Sequence, residues 1–332
     1  MNLTKKQSVF LIISGILLPV LCLVHLFSGE INIGFQDFID SFFNYNHENT
    51  NQLIIRELRL PRMLMAVITG AGLSLAGLLM QTLFNNPLAG PFVLGINSGS
   101  SLFVAFSIMT GIPFLSSDLG VISSALIGAF TFGILILFFS SLVRSNVSLL
   151  LLGLMLGSFT GAIVFILQSA SSSEELKSFT IWAMGSLQNT ELSQLPIITF
   201  LFILGLIGSI LLVKPLNTLV IGEEDAILLG VNSKTIRLFI ISITALLTGL
   251  ITAFCGPIAF VGLAVPNLVR ITFKTQNHFT LIFASVFIGG GFVLVCDILI
   301  QLLESNIHIP INALTSLVGA PFVVLIVLKR LA

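Results

Sequence analysis

Arg56 to Ser101 reads R-E-L-R-L-P-R-M-L-M-A-V-I-T-G-A-G-L-S-L-A-G-L-L-M-Q-T-L-F-N-N-P-L-A-G-P-F-V-L-G-I-N-S-G-S-S. Arg59 and Arg62 bracket Pro61 at the head of a long apolar run, which breaks at Asn85-Asn86-Pro87-Leu88-Ala89-Gly90-Pro91. By length and composition this is a membrane helix with a charged entrance and an irregular exit. Pro61 suits the first turn of a helix, where its missing N–H costs nothing. Cations at that end oppose the helix macrodipole. At the exit, Asn-Asn-Pro and Gly-Pro cannot continue a helix. Backbone left unpaired at membrane depth survives only where protein or a water-filled cavity surrounds it. Each end has a plainer reading as well: arginines snorkelling to lipid phosphates, and an ordinary surface loop.

The rest of the chain has the same character. Of 332 residues, 56% are hydrophobic and 8% charged, with a mean hydropathy of +1.11, against roughly 25% charged in soluble domains. The uncharged runs Met63 to Ser117, Leu119 to Val143, Ser145 to Ser173 and Leu238 to Val269 all exceed the ~20 residues needed to cross a hydrocarbon core. The first and the last of them are long enough for two spans each. The spans read as 7–28, then one from Arg62 to the Asn85 break, then 92–112, 119–142, 147–170, 192–213, 236–255, 258–274, 279–301 and 311–330. That is an all-α polytopic chain of about ten transmembrane helices. The basic start, Lys5-Lys6, resembles a signal peptide, but Val20-Leu21-Cys22 lacks the small residues of a cleavage site, so 7–28 reads as the first membrane helix.

An even count of spans puts both termini on one side. If that side is the cytoplasm, Lys5, Lys6, Arg144, Lys214, Lys234, Arg237, Arg270, Lys274, Lys329 and Arg330 lie inside, and Arg56, Arg59, Arg62 and Lys177 outside. This is a positive-inside distribution. Cations that defy it point to a partner more than to lipid. Segment 28–56 is then extracytoplasmic, and within it Ile33, Phe35, Phe38, Ile39, Phe42 and Phe43 recur at the spacing of a short interfacial amphipathic helix.

The longest inner loop, 214–234, carries Gly222-Glu223-Glu224-Asp225-Ala226-Ile227-Leu228-Leu229-Gly230. Acids in the first turn and a glycine after the last residue describe a short helix. Its acidic tip would be repelled by an anionic leaflet, which favours a protein partner over the membrane surface. Gly153, Gly157 and Gly161, four apart, mark a close-packing helix face, as do Gly70, Gly72 and Gly77. Such a face packs within the subunit, or alternatively forms a pore or dimer seam.

Chemistry is sparse. The sequence has no G-x-x-x-x-G-K-[ST], no H-E-x-x-H and no G-x-S-x-G. His25, His47, His278 and His308 show no ligand spacing, and Cys22, Cys255 and Cys296 no C-x-x-C. Asp297, followed by Gln301 and Glu304, is the exceptional intramembrane charge. It reads either as a functional group or as a solvated acid near the outer interface.

The chain resembles the permease subunits of bacterial ABC importers for iron-siderophores, haem and vitamin B12. The resemblance spans the whole length and rests on Arg59-Leu60-Pro61-Arg62, Gln81 to Ala89 with Leu94-Gly95-Ile96, and Trp182 to Leu187. It continues through Gly222 to Gly230, Gly256 to Arg270, and Leu317 to Phe322. It implies a ten-helix type II importer permease, residues 1–332 as one transmembrane domain, in the bacterial cytoplasmic membrane with both termini cytoplasmic. It also implies a partnership with a second, identical permease subunit, two ATPase subunits and an extracytoplasmic binding protein, with no nucleic acid and no cofactor on this chain. ATP would be bound and hydrolysed by the partner, so the chain itself is not an enzyme.

By the same resemblance, Arg59 and Arg62, supported by Arg56, would dock the binding protein. The helix of Gly222, Glu223, Glu224, Asp225, Ala226, Leu229 and Gly230 would couple to the ATPase. Asn86, Leu88, Asn146 and Val147 would narrow the cytoplasmic end of the path. The chain departs from the family at Asn267, Gln301 and Asn312, where His, Arg and Gly are common. The Gln301 departure leaves Asp297 without an i+4 cation. The expected cargo is a ferric siderophore or related iron complex, with haem or cobalamin as the alternative. An ion-coupled secondary transporter and a non-transporting membrane scaffold are the rivals from other classes.

Overall fold

The computed structural model describes residues 5–331 apart from positions 30, 32, 111, 113, 115, 144, 231 and 304–308. Glu30, Arg144, Glu304 and His308 therefore lie outside the described residues, as do the side chains of Asn146, Glu223, Glu224, Lys329 and Arg330. Every regular element among the described residues is helical.

Lys5–Phe27 forms α1, an apolar helix with most side chains facing outward. Phe35–Phe43 forms α2, the short amphipathic helix expected there, and its Phe38 ring lies 4.9 Å from Phe27. Thr50–Leu53 (α3) continues through a π-helical stretch, Ile54–Arg59, into α4, Leu60–Leu83. Pro61 is thus not at a helix start, which corrects the sequence reading. A proline ring inside a helix clashes with the carbonyl four residues back and denies it a donor. Here the wider turn just before it, in which Leu60 N–H reaches Ile55 O, re-spaces the backbone so that the helix passes through.

After α4 the chain breaks as expected. Asn85 adopts φ +45°, and Pro91–Leu94 makes one 3-10 turn before α5, Ile96–Met109. Ala89, Gly90, Pro91, Leu94 and Ile96 are buried in protein. The Pro87 carbonyl, orphaned by the break, accepts from Asn267 Nδ2 at 2.8 Å. The irregular exit is therefore enclosed by protein from Ala89 onward, while Asn85 and Leu88 are exposed, and the span expected at 92–112 shortens to α5.

Asp118–Leu142 (α6) and Asn146–Ala170 (α7) follow, α5 packing on both. Ser173–Met184 (α8) is an additional helix that the span count missed. Leu195–Leu211 (α9) leads into Val213–Leu219 (α10) and Glu223–Leu228 (α11), so the supposed loop 214–234 is largely helical. Ser233–Cys255 (α12) ends in irregular backbone over residues 256–260, where Phe260 takes φ +65°. Val261–Phe273 (α13), His278–Leu303 (α14) and Ile311–Leu331 (α15) complete the chain. Seven helical runs among the described residues are long and apolar enough to cross a bilayer, and three shorter apolar helices, Ile96–Met109, Val261–Phe273 and Ile311–Leu325, bring the set to ten.

At the centre stands α4, with α9, α12, α13 and α14 around it. Glycine sets the spacing. A Cβ on Gly70 would lie 2.0 Å from Gly289 O, and one on Gly77 1.6 Å from Gly262 O, so α4 approaches α14 and α13 backbone to backbone. Gln7 Nε2 donates to Phe273 O, which puts the head of α1 at the end where α13 finishes. The bundle thus has an Arg59 end and an Asn86 end, and α1 and α15 both have their free termini at the latter.

Candidate functional site

At the Arg59 end two arginines turn inward. Arg59, only 8% exposed, donates from Nη1 to Leu26 O at 2.8 Å and from Nη2 to Ile31 O at 2.6 Å. Its cation therefore satisfies a terminal carbonyl of α1, where the helix dipole favours positive charge. Arg62 grips Asp297 with two bonds, Nε to Oδ2 at 2.8 Å and Nη2 to Oδ1 at 2.9 Å. This is the bidentate geometry that gives Arg–carboxylate pairs their strength.

Asp297 is 2% exposed, so it is not the interfacial acid of the sequence reading. It accepts at Oδ2 from His25 Nε2 at 2.6 Å and from Gln301 Nε2 at 3.3 Å. A buried carboxylate must be paired and hydrogen-bonded to be tolerated, and α1, α4 and α14 each contribute to that here. Gln301 does what the absent Arg would have done in part: it supplies a donor without adding a charge. The Arg62–Asp297 edge opens on a cavity of about 240 Å³ shared with Gly185 to Gln188 and Ile309 to Ile311.

Arg56 is the most outward of the three arginines, its guanidinium 4.3 Å from the centre of the Tyr45 ring, which is a cation–π contact. Beside it Glu57 and Leu58 are exposed. The α2–α3 segment is knitted by Asp37, which accepts from Asn49 Nδ2 at 3.0 Å and Asn51 Nδ2 at 2.7 Å. Of the three outer cations expected to dock a partner, Arg59 and Arg62 are turned into the protein. Arg59 reaches inward to the terminal carbonyl that α1 leaves at Leu26, and Arg62 to the buried Asp297 carboxylate within α14.

At the Asn86 end, Asn86 Oδ1 accepts from Leu88 N–H at 2.9 Å, holding a tight turn that exposes the Leu88 side chain. Val147, in the first turn of α7, is exposed at the same end, and α7 packs on the Pro91–Leu94 turn. Gly95 fits against the Gly153 carbonyl, and a Cβ on Gly157 would meet Ser98 Oγ at 3.3 Å, whereas Gly161 faces open space. The glycine stripe is thus partly an internal seam and partly uncovered.

Helix α11 follows Gly222, at φ +138°, and is closed by Gly230, at φ +84°. Ala226 is buried, while Ile227, Leu228 and Leu229 are exposed, Leu228 at 84%. The sequence pattern thus becomes a short helix with an apolar outer face. No group of three His, Cys, Asp or Glu side chains among the described residues is placed to hold a metal.

Sequence reasoning missed His25, which reads as an isolated histidine in an apolar helix, and α8. A signal for α8 was present: Ser172 and Glu175 form a reciprocal capping box. For His25 no local signal exists, since its partners lie more than 270 residues away.

Ten apolar helices among the described residues, with a glycine-packed α4 at their centre, irregular breaks between helices and a projecting apolar-faced helix at one end, define a polytopic membrane permease of the type II ABC importer fold. The chain belongs to the FecCD transport family, which matches residues 17–329. It is 33% identical to the hemin transport system permease protein HmuU of Yersinia pestis over 95% of this chain and 94% of that one. It is 31% identical to the vitamin B12 import system permease protein BtuC of Vibrio parahaemolyticus, covering 99% and 96%. The molybdate import system permease protein MolB of Haemophilus influenzae is 34% identical, with 84% and 83% covered. A solved inward-facing metal-chelate type ABC transporter superposes with a TM-score of 0.86 at 30% identity, covering 97% of this chain and 99% of that one.

Proposed function

We propose that this permease carries a metal chelate, a ferric siderophore or related iron complex, inward across the bacterial cytoplasmic membrane, driven by ATP hydrolysed on separate subunits. The observation that carries the ATP-driven reading is α11. An acid-tipped, six-residue helix with Ile227, Leu228 and Leu229 bare is a handle for a soluble protein, because no neighbour among the described residues covers those three side chains. In this reading the Asn86 end and both termini are cytoplasmic, and α11 seats in an ATPase subunit. A second copy of the chain completes the path, with two ATPases below. An extracytoplasmic binding protein docks at the other end, where Arg56 presents its charge and Arg59 and Arg62 hold the surface in shape. Asn86, Leu88, Asn146 and Val147 narrow the inner mouth.

Haem or cobalamin is the second reading for cargo, favoured by the relatives named for hemin and vitamin B12 across nearly the whole chain. Purified permease reconstituted in liposomes should transport nothing alone, and should import chelate only with its ATPase, its binding protein and ATP. Uptake of ferric siderophore, haem and cobalamin, measured side by side, selects the cargo. Uptake driven by a proton or sodium gradient without ATP would replace this reading with that of a secondary transporter.

A further inference from the structure

Four polar side chains from four helices meet beneath the gate loop. Asn217 Oδ1, on α10, accepts from the His278 backbone N–H at 2.8 Å, and this fixes the orientation of the Asn217 amide because a backbone N–H only donates. The same oxygen lies 2.9 Å from His278 Nδ1, so the ring proton sits on Nδ1. His278 Nε2 is 2.8 Å from Thr82 Oγ1, in the last turn of α4, and accepts the hydroxyl proton when it turns from the Leu78 carbonyl, 2.9 Å away on the other side. Arg270 Nη2, on α13, donates to the same Thr82 oxygen at 3.0 Å. Arg270 donates to Thr82 and His278 to Asn217, the single Thr82 hydroxyl proton lies between the Leu78 carbonyl and His278 Nε2, and His278 is fully buried.

Position gives this chain of bonds its meaning. Asn217 belongs to the segment that carries α11, five residues before Gly222, which precedes that helix. Its neighbour Leu216 is fully buried and packs in one cluster with Leu79, Met80 and Leu83 of α4. Thr82 stands three residues before Asn85, where the backbone turns left-handed into the Asn86–Leu88 loop.

We infer that His278 is a positioning residue that ties the α10–α11 segment to the gate end of α4, so that movement of α11 is transmitted to the Asn86–Leu88 loop. The inference rests on the reading of α11 as the ATPase-coupling helix. A buried polar link of this kind has two arrangements, made and broken, and each end biases the other. Apolar packing at Leu216 keeps the segment attached, and the hydrogen bonds set its register.

The test uses the permease bound to its cognate ATPase in nanodiscs, with Leu88→Cys as a reporter of the gate. Leu88 is exposed, and the native cysteines are buried or half-buried. In the parent, adding ATP changes the rate of maleimide labelling. Thr82→Val keeps the shape but removes the hydroxyl. It should cut that ATP response by at least about fivefold, the shift that one lost buried hydrogen bond places on a two-state equilibrium, while ATP hydrolysis continues. Thr82→Ser should restore the response, and His278→Ala should behave like Thr82→Val. A full ATP response in Thr82→Val or His278→Ala overturns the inference. So does a parallel loss of hydrolysis and response in both Thr82→Val and Thr82→Ser, which would mean that the site only supports assembly. If the parent bound to its ATPase shows no ATP response at all, the coupling reading itself fails and the link falls with it.

Discussion

Asp297 shows how a membrane protein keeps a charge. Its two carboxylate oxygens face Arg62, His25 and Gln301, so that removing any one partner leaves the others in place, whereas removing the acid takes from Arg62 both bonds of a bidentate pair. Breaking a buried pair from one side costs about 3–5 kcal/mol. Arg62 keeps 13% of its side chain exposed, which places Asp297→Asn at the lower end of that range. The loss should be measurable as reduced resistance to denaturant in detergent, and adding Arg62→Met should recover part of it. If the two changes instead add without coupling, the pair is not a stabilising unit. Little of this was legible in the sequence. Arg62 and Asp297 each stood out as charges in apolar surroundings, but they are 235 residues apart, and nothing local says that α4 and α14 bring them together.

Helices in this bundle are positioned by glycine contacts and by side chains that cover broken backbone. Gly77→Ala would drive a methyl group into Gly262 O and force α4 from α13. Overpacking of this kind costs about 1–3 kcal/mol or more, and the variant should unfold at lower temperature. Gly161→Ala meets nothing within 4 Å, so subunit stability should hold or rise by up to about 1 kcal/mol, the helix preference of alanine over glycine. Should the Gly161 variant nevertheless lose dimer in crosslinking, the uncovered part of α7 is where the second copy sits. The 256–260 break makes a separate point. Ala259 N–H donates to Asn312 Oδ1 at 3.0 Å, so the residue that departs from the family pattern closes an otherwise orphaned donor. Asn312→Ala should cost about 1–3 kcal/mol, read as a lower unfolding midpoint, with Asn312→Asp retaining most of the stability. Period and length revealed the long helices directly, and Gly70 and Gly77 marked real seams. The short ones misled: α5 and α13 read as full spans because the non-α-helical stretches just before them, 92–95 and 258–260, are as apolar in sequence as the helices they join.

For the molecule as a whole, orientation is what gives each end its partner, and the charge pattern is what argues for it. By the sequence threading alone, ten of the fourteen Lys and Arg residues belong to one side of the membrane and four, Arg56, Arg59, Arg62 and Lys177, to the other. The fold adds the reagents for a direct measurement. Arg59 itself is too buried to label, but Leu58 beside it is 60% exposed, and Leu228 on α11 is 84% exposed. In intact cells, a membrane-impermeant thiol reagent should modify Leu58→Cys and leave Leu228→Cys untouched until the membrane is opened, after which both react. A binding protein added to the outside should protect Leu58→Cys if it docks over Arg56, and an ATPase added to opened membranes should protect Leu228→Cys. Labelling in the opposite order would turn the molecule over, placing α11 where no ATP is available and removing the basis for an ATP-driven importer.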